Sequence, residues 1–124
     1  MKKKILLIDD DKDWINMIAM RLQHAGYEVD AAFDPVSGTA QAIALQPDLI
    51  LLDVMMPAGG GRLLLKNIRD NIKTFTIPVI VVSGSLDREM EESIKEIGVS
   101  GYFPKPVDTG KLLEEIGKVL GHKE

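Results

Sequence analysis

Five short apolar runs, each followed by a helical pattern, decide what this chain can fold into. Ile5-Leu6-Leu7-Ile8, Leu49 to Leu52 and Val79 to Val82 carry no polar alternation, the pattern of strands buried on both faces. Tyr27 to Phe33 alternates with Glu28 and Asp30 and reads as an edge strand, and a short strand is expected near Gly101 to Phe103. Between them, apolar residues recur at helical spacing: Trp14, Ile15, Ile18 and Leu22; Val36, Ala40, Ile43 and Ala44, stopped before Pro47; Leu64, Ile68 and Ile72. Met90, Ile94 and Ile97, ended by Gly98, and then Leu112, Leu113, Ile116, Val119 and Leu120 complete the series. Strict alternation implies a parallel sheet with right-handed crossovers and helices on both faces. The expected fold is α/β, a doubly wound five-stranded parallel sheet of order 2-1-3-4-5 with five helices, its site outside the strand ends where the order reverses.

At 124 residues the chain has the size of one domain, spanning 1–124. It is 45% hydrophobic, enough for a core, and its net charge of -4 lacks the basic stripe of a nucleic-acid binder. The absence of cysteine excludes disulfides and thiolate metal sites. Lys2-Lys3-Lys4 before Ile5 imitates an export signal, but the apolar run stops after four residues at Asp9. No segment has membrane-spanning length. The chain reads as a soluble, cytoplasmic protein.

The chemistry lies at the ends of the buried strands. The first runs into Asp9-Asp10, the third into Asp53 and the fourth into Ser83, while Lys105 comes just after the fifth. In a parallel sheet these tips share one edge, and strands one and three are neighbours at the reversal, so three carboxylates converge. Carboxylates that close raise one another's pKa unless a cation intervenes. Oxygen ligands with room for water and phosphate suit magnesium. A metal, a lysine and a hydroxyl are the parts that stabilise a phosphoryl group. Taken singly, each residue has a plainer use: an aspartate after a strand is as readily a turn former or helix cap, as expected for Asp11 and Asp13. Ser83 alone suits a turn and Lys105 alone suits solvent; the combination at one sheet edge is what points to chemistry. His24 and His122 read as surface residues, Met55-Met56 as loop packing, and Gly59-Gly60-Gly61 lacks the GK[ST] of a phosphate-binding P-loop.

Ile8-Asp9-Asp10-Asp11, Leu51-Leu52-Asp53-Val54-Met55-Met56-Pro57, Val81-Val82-Ser83-Gly84 and Lys105-Pro106 together resemble the receiver domain of bacterial two-component response regulators, in order and over essentially the whole chain. The resemblance implies a flavodoxin-like fold and an aspartyl phosphate formed on Asp53. It implies magnesium bound by Asp9, Asp10, Asp53 and the Met55 backbone carbonyl, with Asp10 the direct ligand of the acidic pair. Ser83 and Lys105 would engage the phosphoryl oxygens, Tyr102 would be a rotameric switch residue working with Ser83, and Lys105-Pro106 would be cis. The implied donor is a sensor histidine kinase or phosphotransfer protein, and the implied target a downstream protein or an output domain outside this chain, with no direct nucleic-acid or membrane contact. A phosphorylation-dependent dimer is one form the output can take, and the active face would be helix four, strand five and helix five. Such a protein modifies itself and turns over no separate substrate, so it is a switch and not an enzyme.

Two positions depart from the family pattern. Ala58-Gly59-Gly60-Gly61 replaces the usual methionine and aspartate before the last glycine, depriving helix three of a cap and loosening the loop. Ser83 replaces the commoner threonine and keeps the hydroxyl. Two other readings stay open: a haloacid-dehalogenase-like phosphatase using Asp9 and Asp11 as its D-x-D pair, and a phosphate-independent receiver used only for docking. The first leaves Asp53 and Lys105-Pro106 unexplained, and the complete set of Asp9, Asp10, Asp53, Ser83 and Lys105 counts against the second. Since the sequence closes on its last helix, a free-standing receiver and one domain of a longer protein both remain open.

Overall fold

The computed structural model describes residues 2–121, so the expectation for His122 lies outside the described residues. Strands β1 (Lys4–Ile8), β2 (Glu28–Ala32), β3 (Leu49–Leu52), β4 (Val79–Ser83) and β5 (Gly101–Pro104) alternate with helices α1 (Lys12–His24), α2 (Pro35–Leu45), α3 (Gly60–Asp70), α4 (Arg88–Ile97) and α5 (Thr109–Leu120). All strand pairs are parallel and the sheet order is β2-β1-β3-β4-β5, as the alternation predicts. One turn of 3-10 helix at Pro57–Gly59 precedes α3.

Side chains alternate across the sheet, so the strands feed two apolar layers. Leu6, Ile8, Ile50, Leu52, Val79 and Val81 face α2, α3 and α4, which contribute Ala42, Leu64, Ile68 and Ile94. Ile5, Leu7, Leu49, Leu51, Ile80 and Val82 face α1 and α5 and meet Ile15, Ile18, Leu22, Leu112 and Ile116. Such double-sided burial is why the runs lack polar alternation.

Four of the helices start on an aspartate whose side chain accepts a backbone N–H: Asp11, Asp34, Asp87 and Asp108. Helix α3 starts instead on Gly59, in the left-handed region at φ 69, with no side-chain cap, as the Ala58 to Gly61 departure predicts.

Two apolar patterns misplace their residues. Spacing turns the Val36, Ala40, Ile43 and Ala44 stripe inward, yet Val36 is 82% exposed and Gly38 and Ala42 face the core. The cause is close approach: a Cβ at Gly38 would lie 2.8 Å from Ile8 Cγ2 and 2.9 Å from Leu64 Cδ1, so only small residues fit on that side. Spacing also puts Ile72 on α3, but the helix ends at Asp70 with Asn71 extended, leaving Ile72 86% exposed.

Candidate functional site: the carboxylate edge of the sheet

Backbone register assembles the site. Ile8 pairs with Leu52, so the next residues on each strand, Asp9 and Asp53, are adjacent, and the Asp53 amide donates to the Ile8 carbonyl at 3.0 Å. Ser83 pairs with Pro104, and the Lys105 amide donates to the Ser83 carbonyl at 2.7 Å. The Lys105-Pro106 peptide bond is cis, as expected.

Asp53 is held asymmetrically. Its Oδ1 accepts from the Ser83 hydroxyl at 2.7 Å and from the Met55 amide at 2.8 Å, while its Oδ2 faces Lys105 Nζ at 3.6 Å. Ser83 Oγ also accepts the Val54 amide at 2.9 Å, so this buried hydroxyl is fully engaged with the end of β3. Oδ2 is therefore the less engaged of the two oxygens. Lys105 Nζ lies 2.7 Å from Asp9 Oδ2 and 4.8 Å from the centre of the Trp14 ring.

Oxygens of Asp9, Asp10 and Asp53 all lie within 4.8 Å of one another, with Asp10 exposed and the other two buried. Burial pushes the Asp9 carboxyl above its ordinary value; its bonds to Lys105 and the Asp11 amide act the other way, and the charge of Asp53 adds to the rise. For Lys105, burial alone would lower the value, but the hydrogen bond and charge of Asp9, together with Asp53 and Asp11, raise it. At Asp9 burial outweighs the two hydrogen bonds the carboxylate accepts, whereas at Lys105 the neighbouring carboxylates together outweigh burial. Lys105 pairs with Asp9 and Asp53, and the all-oxygen set of Asp9, Asp10 and Asp53, open to solvent at Asp10, fits a hard divalent cation such as magnesium.

Met55 contributes its amide to Asp53 and leaves its side chain 53% exposed, whereas Met56 is buried in the core, so only the second of the pair packs as expected. Tyr102 is half-buried beside α4 with its hydroxyl donating to the Gly84 carbonyl at 3.1 Å, one residue past Ser83. Asp11 caps α1 through Trp14 and Asp13 sits in its first turn, so one oxygen of the Asp11 carboxylate has the structural use expected of it. His24 is exposed, as expected.

Sequence reasoning passes over two residues here. By spacing Trp14 belongs to the core face of α1, although its ring also meets Lys105. The glycine run lacks the signature of a phosphate loop, yet Gly61 brings α3 onto the backbone just past β3. A Cβ there would lie 2.5 Å from Val54 Cα and 2.6 Å from the Asp53 carbonyl oxygen, backbone atoms that cannot give way. Its position four residues after Pro57, at a helix start, is the available signal.

Fold and site together define a doubly wound α/β protein with an acidic cluster and a lysine at the carboxyl edge of its parallel sheet. The chain matches the response regulator receiver domain over residues 5–117 and belongs to that family. The DNA-binding dual master transcriptional regulator RpaA of Synechocystis sp. is 34% identical over 119 residues, 94% of this chain and 48% of that one. Response regulator ArlR of Staphylococcus saprophyticus is 32% identical over 94% of this chain and 52% of its own. The chain thus spans about half the length of the curated relatives it matches. Among solved structures, a CheY-like receiver domain protein from Methanospirillum hungatei superposes with a TM-score of 0.92 at 29% identity, covering 98% of this chain and 95% of that one. Chemotaxis protein CheY4 of Vibrio cholerae superposes at 0.89 with 30% identity, over 97% of this chain and 100% of that one. Among the described residues no helix is long and apolar enough to cross a membrane.

Proposed function

We propose that residues 1–124 form one receiver unit that takes a phosphoryl group onto Asp53 and acts as a cytoplasmic switch. The observation that carries this reading is the asymmetric hold on Asp53, with Oδ1 fixed by Ser83 and Met55 and Oδ2 directed toward Lys105. Oδ2 attacks the phosphorus of a phosphohistidine on a sensor histidine kinase or phosphotransfer protein. A P–O bond forms, the P–N bond breaks and the imidazole leaves with its electron pair. Lys105 stands beside the transferring oxygens, and the Ser83 hydroxyl can turn from Oδ1 to one of them.

Asp9, Asp10, Asp53 and the Met55 carbonyl would hold magnesium, which when bound neutralises charge on the transferring group. Occupation of Ser83 by a phosphoryl oxygen alters the contacts beside Gly84, where the Tyr102 hydroxyl is anchored. The phosphorylated state thereby acquires a contact the free state lacks, as any switch requires, and the α4–β5–α5 face changes.

The downstream partner is a protein or an output domain outside this chain, or a second phosphorylated copy. The RpaA and ArlR chains, about twice as long as this one, support the reading with an output domain, and the CheY4 chain, matched throughout, supports the reading with a separate protein target. The chain catalyses only its own modification and hydrolysis. With a net charge of -4 it is not proposed to bind nucleic acid directly.

Acetyl phosphate with magnesium should add the mass of one phosphate, and Asp53→Asn should lose most of that gain while Asp10→Ala weakens magnesium binding. Undiminished labelling of Asp53→Asn would overturn the assignment. Beryllofluoride, a phosphoryl mimic, should move the amide signals of α4 and Tyr102; shifts confined to the strand tips would place the output elsewhere.

A further inference from the structure

Lys105 brings an ammonium to Asp9 and Asp53, and its contacts decide whether that cation is in place when a phosphoryl group arrives. Its four-carbon stem is flexible, and a lysine ammonium is a strongly hydrated charge that solvent competes for. Asp9 holds it at 2.7 Å and Asp53 at 3.6 Å, and its side chain is 21% exposed. On a third side stands the ring of Trp14, whose centre is 4.8 Å from Nζ, inside the roughly 6 Å range of cation–π attraction.

The ring is itself well fixed. Trp14 lies in the first turn of α1, and its amide donates to Asp11 Oδ1 at 3.1 Å. The Asp11 amide in turn donates to Asp9 Oδ1 at 2.9 Å, which ties this turn to the carboxylate that holds Lys105. The half-buried indole packs on the apolar layer beneath α1 and α5, in the same cluster as Phe103 and Val107 on either side of Lys105. An aromatic surface anchored at its backbone and packed on this layer therefore lies against the ammonium.

We propose that Trp14 is a positioning residue for Lys105: it holds the ammonium beside Asp53 Oδ2, so that the cation is in place when the phosphoryl group arrives. This rests on the reading of Asp53 as phosphoacceptor. It uses the face of the ring and not merely its bulk, because the attraction comes from the ring quadrupole. Leucine at this position would fill space without holding the cation, whereas phenylalanine would keep a weaker aromatic face.

The full chain is phosphorylated with acetyl phosphate and magnesium, and the gain of one phosphate is followed by mass spectrometry over a series of donor concentrations. Trp14→Leu should slow uptake by about three- to tenfold, within the range such contacts support. Trp14→Phe should recover most of the loss. In a Lys105→Met background, Trp14→Leu should cause no further slowing, because the cation it positions is gone. Equal slowing by the leucine and phenylalanine variants, or the same slowing with and without Lys105, would show that Trp14 only packs.

A second measurement does not need the leucine variant to fold. Trp14 is the only tryptophan, so Lys105→Met should shift the emission of the otherwise intact chain by removing the charge over the ring; unchanged emission overturns the contact. If the wild-type chain takes up no phosphoryl group, the phosphoacceptor reading fails, and the emission comparison still decides whether Trp14 holds Lys105.

Discussion

Helices α1 and α4 both come after strands whose tips build the site, and both begin on an aspartate cap, at Asp11 and Asp87. They are held in opposite ways. Helix α1 buries Ile15, Ile18 and Leu22 against the sheet, whereas α4 buries only Ile94, with Met90 and Ile97 partly covered. What α4 lacks in apolar burial is supplied by arginines on α3. Arg62 Nε donates to the Ser93 hydroxyl at 2.6 Å, and Arg69 Nε donates to the Gly98 carbonyl at 3.0 Å, at the C-terminal end of α4. Burial is non-directional and costly to undo, while a hydrogen bond is local and exchangeable with water. The contrast makes α1 the firmly anchored helix and α4 the lightly anchored one, which suits the movement of α4 proposed above.

The same α3 that clasps α4 also begins at Asp53, the proposed acceptor. Gly61 packs against the backbone of Asp53 and Val54, and Arg62 is the next residue along. A change at Asp53 therefore has two physical routes to α4: through Ser83 and the Gly84–Tyr102 contact, and through the start of α3.

The largest effect should come from the scaffold side. Ile18→Ala removes a fully buried side chain from the layer under α1 and should cost about 2–5 kcal/mol, since the surrounding sheet cannot collapse into the space. Urea denaturation measures this directly. A cost below about 1 kcal/mol would mean that α1 is no better anchored than α4 and would dissolve the contrast.

Arg69→Ala comes next. Arg69 donates to three carbonyls: Gly98 at 3.0 Å, Ile77 at 2.7 Å and Phe75 at 3.3 Å. Burial pushes its guanidinium below the ordinary arginine value, so it is kept in a place that does not favour its charge, as expected of a strut with a specific task. Losing it should cost about 1–3 kcal/mol, because water can reach only some of the freed carbonyls. Hydrogen exchange should quicken in the last turn of α4 and across residues 75–77, and stay unchanged in the middle of α1. Equal acceleration in both helices would mean that Arg69 supports the whole fold and not this clasp.

The main lines of this arrangement were legible in the sequence, and the exceptions have one physical origin. Apolar runs such as Ile5 to Ile8 specify strands buried on both faces, and the alternation specifies their order, which places Asp9, Asp10, Asp53, Ser83 and Lys105 at one edge. What hydropathy cannot encode is how near two elements come. The inward face of α2 turned on Gly38 and Ala42 because Ile8 and Leu64 leave no room for the larger Val36. Gly61 carried its meaning in an absent Cβ. Arg62 and Arg69 have the composition of an ordinary solvated helix face, and only their distances to Ser93 and Gly98 separate them from it.

Arg62→Ala should give the smallest effect and the sharpest distinction. Its bond to Ser93 is short, but the arginine is exposed and Ser93 only half-buried, so water can replace the lost partner on both sides. The net contribution of such a bond to stability should be no more than about 0.5–1 kcal/mol, at the low end for hydrogen bonds. Stability alone would then rank Arg62 with surface pairs such as Arg88–Glu92, whose side chains are 92% and 66% exposed. The difference lies in what the bond connects. Arg88 and Glu92 join two turns of one helix, whereas Arg62 joins the start of α3, seated on Asp53, to the middle of α4. If the clasp resists displacement of α4, its removal should leave the urea midpoint nearly unchanged while the amide signals of α4 move part of the way toward their beryllofluoride positions without any ligand. Glu92→Gln, equally small in stability, should leave those signals where they are. Should both variants leave α4 unmoved, the Arg62 contact does not restrain the helix, and the apolar contacts of Ile94, Met90 and Ile97 set its position.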